Sequence, residues 1–183
     1  MSVDDMHLFG NHNYENVMAA IAMTIEAGVP LNIIINVIKD FMGVEHRIEY
    51  VRDKNGVRYY NDSKGTNPDS SIKALEAMSR PTILIAGGYD KHSEFDEFIE
   101  AFDNKVKLMV LLGQTADKIE ETAVRHGFTN IIKTDSLEKA VKICAENAVS
   151  GDVVLLSPAC ASWGMFKNYE ERGKLFKEYV NSL

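Results

Sequence analysis

Three segments combine lysines, hydroxyl side chains and glycines directly after predicted strands. They are residues 61–68 (NDSKGTNP), 87–91 (GGYDK) and 157–164 (SPACASWG). In an open parallel sheet, ligands bind outside the carboxyl ends of the strands, where such loops meet helix N-termini. Lysine and hydroxyl groups at that edge suit a small anionic ligand. We therefore predict one binding crevice that these segments form together.

Each segment also has an ordinary structural explanation. Asp62 and Asn67 are common turn and cap residues, and Lys64 and Lys91 fit solvated surface lysines. Gly87-Gly88 fits a tight strand-to-helix turn and is not the dinucleotide fingerprint, because the chain has no Gly-x-Gly-x-x-Gly. It is the combination of the segments that favours a binding site.

The hydrophobic pattern predicts an α/β fold. The predicted strands are 45–51, 57–61, 82–86, 107–112, 130–134 and 153–157. The first two form a hairpin, and the later ones alternate with segments of helical periodicity. Such alternation requires right-handed crossovers, which give a Rossmann-like, mainly parallel sheet with helices on both faces.

Polar residues before the helical segments indicate where the helices begin. Asn67 is predicted to cap a helix whose first position is Pro68, and Ser93 to cap the next. Asp135 with Glu138 resembles a capping box for a later helix.

The first part of the chain is predicted to be helical throughout. Residues 13–41 show helical spacing, with a break at 28–30, and Gly43 is predicted to end the second helix. These helices have no strands of their own. We therefore interpret residues 1–43 as the helical remnant of a preceding domain and 44–183 as the Rossmann-like domain.

Composition excludes several function classes. A formal net charge of −7 leaves no basic surface that would neutralise several phosphates, so no nucleic-acid partner is expected. The chain has no apolar run of about 18 residues and no secretory leader, so we expect no membrane span and a cytoplasmic location. Cys144 and Cys160 are far apart, which predicts neither a disulfide nor a zinc site.

Several motifs resemble the Mur ligase family, and within it the ligases that add D-glutamate to UDP-N-acetylmuramoyl-L-alanine. They are 61–67 (NDSKGTN), 87–91 (GGYDK), 156–162 (LSPACAS) and 166–173 (FKNYEERG). Upstream, 10–16 (GNHNYEN) resembles the end of the family's central ATP-binding domain, and 44–47 (VEHR) resembles the entry to its C-terminal domain. The resemblance covers nearly the whole chain.

The resemblance implies ATP-driven amide formation. A substrate carboxylate is phosphorylated to an acyl phosphate, which the amine of D-glutamate then attacks. The implied cofactors are ATP and Mg²⁺, with the metal ligands mainly in the central domain. By the same resemblance, Asn16 contacts the adenine, Asp62 the ribose and Arg47 the phosphates of ATP.

The resemblance also implies a pocket for D-glutamate. Its residues are Lys64, Thr66, Lys91, Ser162, Trp163 and Tyr169. Cations and hydroxyls suit the two carboxylates of this substrate without trapping its amine as an ion pair. His46 and Lys64 are the implied catalytic residues. For His46, a phosphate contact, a role in proton transfer and a surface histidine at a strand start all stay open.

The chain departs from the family in one respect: it has no Gly-x-x-Gly-Lys-Thr/Ser loop to hold ATP phosphates. We therefore predict that it is inactive alone and supplies half of a composite site, with the N-terminal and central domains as its partners and a hinge at 42–46.

Two other functions are compatible with the sequence. One is a free-standing nucleotide-binding regulatory domain, and the other is a sister ligase such as a folylpolyglutamate synthase. A purely structural or interaction role has little support, because no apolar patch or charged tail is evident.

Overall fold

The computed structural model describes residues 1–8 and 10–183 and separates into two compact units. The first unit is Met1–Glu45 and the second is His46–Leu183. Each unit is described by itself.

The first unit is helical, as predicted. It contains a short 3₁₀ turn at Val3–Asp5 and two helices, α1 (Asn11–Glu26) and α2 (Leu31–Asp40). Gly28, with a φ of 80°, and Pro30 separate the helices. The prediction that Gly43 ends α2 is wrong, because the helix stops at Asp40 and Phe41 is already extended.

The second unit contains a six-stranded sheet in the order β1-β2-β6-β3-β4-β5. The strands are β1 (Glu49–Lys54), β2 (Val57–Asn61), β3 (Thr82–Ala86), β4 (Val106–Leu111), β5 (Ile131–Lys133) and β6 (Val153–Leu156). Only the β1–β2 hairpin pairs antiparallel within this sheet. The mainly parallel α/β fold is therefore confirmed.

The first strand starts later than predicted, at Glu49 and not at residue 45. His46 and Ile48 have φ values of 65° and 46°, which lie outside the β region. The interpretation of His46 as a surface histidine at a strand start is wrong, because the residue is buried.

The helices of the second unit cover the sheet. They are α3 (Pro68–Glu76), α4 (Asp96–Glu100), α5 (Ala116–Arg125), α6 (Leu137–Asn147) and α7 (Tyr169–Ser182). Asn67 caps α3 as predicted, since its side chain accepts from the backbone N–H of Ser70. The predictions of the other two caps are wrong. Phe95, and not Ser93, directly precedes α4 and makes no side-chain cap, and Ser136 instead of Asp135 caps α6.

Apolar side chains are buried on both faces of the sheet. On one face Ile83, Val110 and Val154 pack in a single cluster with Cys144 of α6 and Phe176 of α7. Successive strand residues point to opposite faces. The alternate residues Leu84, Met109 and Leu155 are also fully buried. The helices α3, α4 and α5, which contact one another in series, supply the second layer.

Among the helices of the described residues, none is long and apolar enough to cross a bilayer.

Replacing Asn67 with Ala should destabilise the chain, because the N-terminal N–H groups of α3 lose their side-chain acceptor. We expect a loss of about 1 kcal/mol in the free energy of unfolding, measured by urea denaturation. Asn67→Ser is the matched control, since serine also caps helices and should stay within a few tenths of a kcal/mol of the parent. Equal losses in both variants would contradict the capping role.

Candidate active site

The strand order places three predicted loops side by side. We call residues 62–67 the β2 loop, 87–91 the β3 loop and 157–164 the β6 loop. β6 lies between β2 and β3, so each loop leaves the same edge of the sheet next to another. The backbone N–H of Gly87 donates to the carbonyl of Pro158 over 2.8 Å, and that of Tyr89 donates to Ala161 over 2.8 Å. The β3 and β6 loops are therefore joined directly.

Close backbone contacts require the glycines of the β3 loop. A Cβ atom on Gly87 would lie 2.2 Å from the carbonyl oxygen of Leu112, and one on Gly88 would lie 2.3 Å from that of Ala161. Both residues also have positive φ values, 102° and 156°. The tight-turn explanation thus accounts for this pair of glycines.

Lys64 of the β2 loop lies against Tyr169, the first residue of α7. Its Nζ donates to the Tyr169 hydroxyl over 3.1 Å and lies 4.7 Å from the centre of the ring. The side chain of Asn168 caps α7 by accepting from Glu171 N–H, which fixes where Tyr169 begins the helix. The structure therefore brings these two predicted pocket residues together.

His46 belongs to a buried polar network behind the β2 loop. Asn61 Oδ1 accepts from Ser63 N–H, which turns its amide nitrogen toward His46 Nδ1, 2.9 Å away. Because an amide nitrogen only donates, Nδ1 accepts, and a neutral ring carries its proton on Nε2. Glu49 accepts from the same amide and from His46 N–H. A Cβ on Gly173 of α7 would lie 2.3 Å from Nδ1, so only glycine leaves room for the imidazole.

Asp62 carries a buried carboxyl group whose two oxygens both accept hydrogen bonds. Ile48 N–H donates to Oδ1 over 3.2 Å, and Ser157 Oγ lies 2.7 Å from Oδ2. Ser157 Oγ also lies 2.8 Å from Ser71 Oγ, so the β2 loop, the β6 loop and α3 share one polar chain. Burial raises the pKa of Asp62 to about 7, although these bonds and the charges of Arg47 and Arg172 favour the ionised form.

Arg172, in the first turn of α7, joins the β2 and β6 loops. Its Nε donates to Ser63 Oγ over 3.0 Å, and its two terminal nitrogens donate to the carbonyls of Ser63, over 2.8 Å, and Cys160, over 3.1 Å. The side chain is 2% exposed. Burial lowers the pKa of Arg172 to about 10, which still leaves the guanidinium charged at neutral pH.

The second predicted lysine, Lys91, lies in an exposed aromatic cluster. Its Nζ lies 4.8 Å from the centre of the Trp163 ring, at cation–π distance. Trp163 packs edge-on against Tyr89, with 5.6 Å between the ring centres. The ammonium group of Lys91 therefore lies at the surface where the β3 and β6 loops meet.

The remaining predicted residues lie in different places. Thr66 is half-buried in the β2 loop, and Ser162 is buried in the β6 loop. Arg47 is exposed at the start of the second unit. Asn16 is exposed on α1 of the first unit. All the predicted D-glutamate residues thus lie on the three loops or at the start of α7, whereas the predicted ATP residues are distributed over both units.

A family profile described as "Mur ligase, glutamate ligase domain" matches residues 46–160. This stretch is more than half of the chain. The chain belongs to the Mur ligase family.

Individual relatives agree with this assignment. The UDP-N-acetylmuramoylalanine–D-glutamate ligase of Lachnospira eligens is 66% identical over 183 residues, which is 100% of this chain and 41% of that relative. The chain thus spans about two fifths of the length of this Mur ligase.

Solved Mur ligase structures share the fold. The UDP-N-acetylmuramate–alanine ligase MurC of Thermotoga maritima aligns with a TM-score of 0.73 at 17% identity, over 97% of this chain and 39% of that one. The MurF ligase of Thermotoga maritima, solved in complex with ADP, aligns with a TM-score of 0.59 at 22% identity, over 91% and 38%.

Two residues of the candidate site were not among the predicted site residues. Asn61 is the last residue of the buried strand β2. Its position in the sequence gives no indication that its side chain contacts His46. Arg172 had an available signal, because it precedes Phe176 and Val180 at helical intervals and so occupies the buried stripe of α7. A charged residue in an apolar stripe indicates a specific buried partner.

The raised pKa of Asp62 makes a prediction for stability. The native state holds this proton between about pH 4 and pH 7, whereas an unfolded aspartate has a pKa of about 3.9 and releases it. The stabilising contribution of Asp62 is therefore complete below about pH 4 and is lost as the pH rises toward 7.

Asp62→Asn removes this titration and keeps both hydrogen bonds, since the amide oxygen accepts from Ile48 and the amide nitrogen donates to Ser157. Urea denaturation from pH 5 to pH 8 should show the parent losing stability relative to the variant as the pH rises. The expected slope is up to about 1.4 kcal/mol per pH unit below pH 7. A difference that stays constant over this pH range would show that Asp62 ionises with an ordinary pKa.

Proposed function

We propose that the chain is the amino-acid-binding part of a ligase that uses ATP to join D-glutamate to UDP-N-acetylmuramoyl-L-alanine. The observation that carries the proposal is the 66% identity to the D-glutamate ligase of Lachnospira eligens across all 183 residues. This similarity includes every segment that forms the three loops. The chain acts in this proposal together with the further segments that such a relative possesses.

The geometry supports an amino-acid pocket at the loops. D-Glutamate has two carboxylates and a nucleophilic amine. Lys64 and Lys91 offer ammonium groups from two different loops. Thr66 offers a hydroxyl two residues after Lys64, and Ser162 offers one beside Trp163, whose ring contacts Lys91. Charge-assisted bonds to both carboxylates would orient the amine for attack on an acyl phosphate. Tyr169 and Trp163 contact the two lysines and restrict where their ammonium groups lie.

We assign the ATP contacts to Asn16, Arg47 and Asp62 as part of the same proposal. Arg47 is exposed, and a guanidinium suits phosphate oxygens. Asp62 would meet a ribose through the lone pairs that Ile48 and Ser157 leave open. Because burial raises the pKa of Asp62 to about 7, its partly protonated carboxyl is poorly suited to hold Mg²⁺. We therefore place the Mg²⁺ ligands mainly in the central domain that the family resemblance implies. Dependence on ATP supports a cytoplasmic location.

His46 is better suited to positioning than to accepting a proton. Its Nδ1 lone pair already accepts from Asn61, and the neutral ring carries a proton on Nε2. A neutral imidazole in this arrangement presents no open lone pair to a substrate amine. We propose that His46 supports the β2 loop, whose Lys64 N–H donates to the His46 carbonyl over 3.0 Å.

The two alternative functions make different predictions. A free-standing nucleotide-binding domain would bind ATP as the isolated chain, which isothermal titration calorimetry would detect. A sister ligase would accept a different amino acid. The proposal predicts no ligation by the isolated chain, and strict dependence on D-glutamate once the rest of the enzyme is supplied.

A chimera tests the function directly. The aligned segment of the Lachnospira eligens ligase is replaced by these 183 residues, and ADP release is measured with UDP-N-acetylmuramoyl-L-alanine and a panel of amino acids. We expect ADP release that requires D-glutamate. Release with another amino acid, or no release from a chimera that folds as its parent does, would refute the proposal.

Lys91→Met in this chimera tests the carboxylate contact. Methionine keeps an apolar stem beside Trp163 and removes the charge. We expect a loss of about 1.5–3 kcal/mol, roughly 10- to 150-fold in KM for D-glutamate, with KM for ATP nearly unchanged. Lys174→Met is the matched control, because Lys174 is exposed on α7. An unchanged KM for D-glutamate in the Lys91 variant would remove Lys91 from the pocket.

A further inference from the structure

We propose that Arg172 is a positioning residue that holds the β2 and β6 loops in the arrangement that binds the carboxylates of the amino-acid substrate. The inference deepens the proposed function and rests on it. Arg172 itself contacts no substrate in this proposal, and it acts through the two loops.

The geometry of the guanidinium carries the inference. Three of its nitrogens donate to acceptors on two loops that are about ninety-five residues apart in the chain, namely Ser63 Oγ, Ser63 O and Cys160 O. A guanidinium is a rigid planar fork, so bonds to both loops fix their separation and their relative orientation. Lysine has one flexible ammonium group and cannot reproduce this arrangement.

Both loops place a candidate substrate contact next to the residue that Arg172 holds. Lys64 directly follows Ser63, and Ser162 lies two residues after Cys160. Ser63 Oγ also donates to the carbonyl of Tyr169 over 2.8 Å, and Tyr169 is the residue that contacts Lys64. A substitution of Arg172 should therefore affect the position of Lys64 by two routes. One is the β2 loop that contains Lys64, and the other is Tyr169 at the start of α7.

Stability alone does not explain a cation at this position. Removing a guanidinium from water costs several kcal/mol, and buried charged groups are often replaced by apolar residues of similar volume without loss of stability. In the part of the chain that the structure describes, both oxygens of the neighbouring Asp62 carboxyl accept from groups other than Arg172. The bonds of Arg172 go to loop atoms, which indicates a role in loop geometry.

The kinetic test uses the chimera described above with Arg172→Lys and Ser63→Ala. Arg172→Lys should raise KM for D-glutamate about 10- to 100-fold. KM for ATP should rise by a smaller factor, because only one of the three proposed ATP residues, Asp62, lies in a loop that Arg172 holds. Ser63→Ala keeps the two carbonyl acceptors and loses only the hydroxyl, so its KM for D-glutamate should rise by a smaller factor. Lys174→Arg, an exposed exchange on the same helix, serves as the control. Equal increases in both KM values, or an unchanged KM for D-glutamate, would overturn the proposal.

Amide hydrogen exchange on the isolated 183-residue chain gives a readout that does not depend on activity. Arg172→Lys should speed exchange in the β2 and β6 loops together, while β3 and β4 keep the protection of the parent. Faster exchange in one loop alone, or throughout the sheet, would overturn the positioning role. The two proposals fail separately: an inactive parent chimera refutes the function, whereas an active parent with unaffected variants refutes only the role of Arg172.

Discussion

The parallel pairing of β6 between β2 and β3 is the interaction on which the site depends. Leu156 of β6 is in register with Asn61 of β2 on one side and with Ile85 of β3 on the other. The residues that follow these positions therefore leave the sheet at nearly the same level. Loops from different parts of the second unit therefore become neighbours through the backbone hydrogen bonds of the sheet. This placement does not depend on any contact between loop side chains.

Close backbone packing then limits how these loops can move. Thr115 lies in the turn after β4. Its hydroxyl oxygen accepts from Gly88 N–H and lies 3.2 Å from Cys160 Sγ, so this one side chain links the β3 and β6 loops. Arg172 performs the equivalent role between the β2 and β6 loops. The lysines at the surface of the site thus extend from a backbone that buried groups hold, which is the arrangement that preorganised binding requires.

Periodicity predicted the elements well because burial on a sheet or helix imposes a regular spacing on apolar residues. It could not predict the strand order, since nothing local in β6 indicates that it inserts between β2 and β3. The errors in the predicted helix starts had local causes. Asp135 and Ser136 can both cap a helix, and Ser136 is the one with the extended backbone of a cap residue. The left-handed residues His46 and Ile48 have partners outside their own segment: Ile48 N–H donates to Asp62, and the His46 ring lies against Gly173. The local sequence does not indicate these contacts. The loop residues of the candidate site were predicted, as were the buried His46 and Asp62, whereas the buried Asn61 and Arg172 were not.

The charge balance at this edge follows from which buried groups stay ionised. Arg172 remains cationic at neutral pH, whereas the raised pKa of Asp62 leaves that carboxyl protonated in a large fraction of molecules near pH 7. The buried pair therefore contributes a net positive charge beneath loops that already carry Lys64. A chain with a formal net charge of −7 can in this way still favour an anionic ligand at one edge of its sheet, because the potential at a site depends on nearby charges more than on the total. Deprotonation of Asp62 would cancel part of that positive charge, so the electrostatic attraction for carboxylates should weaken as the pH rises through 7.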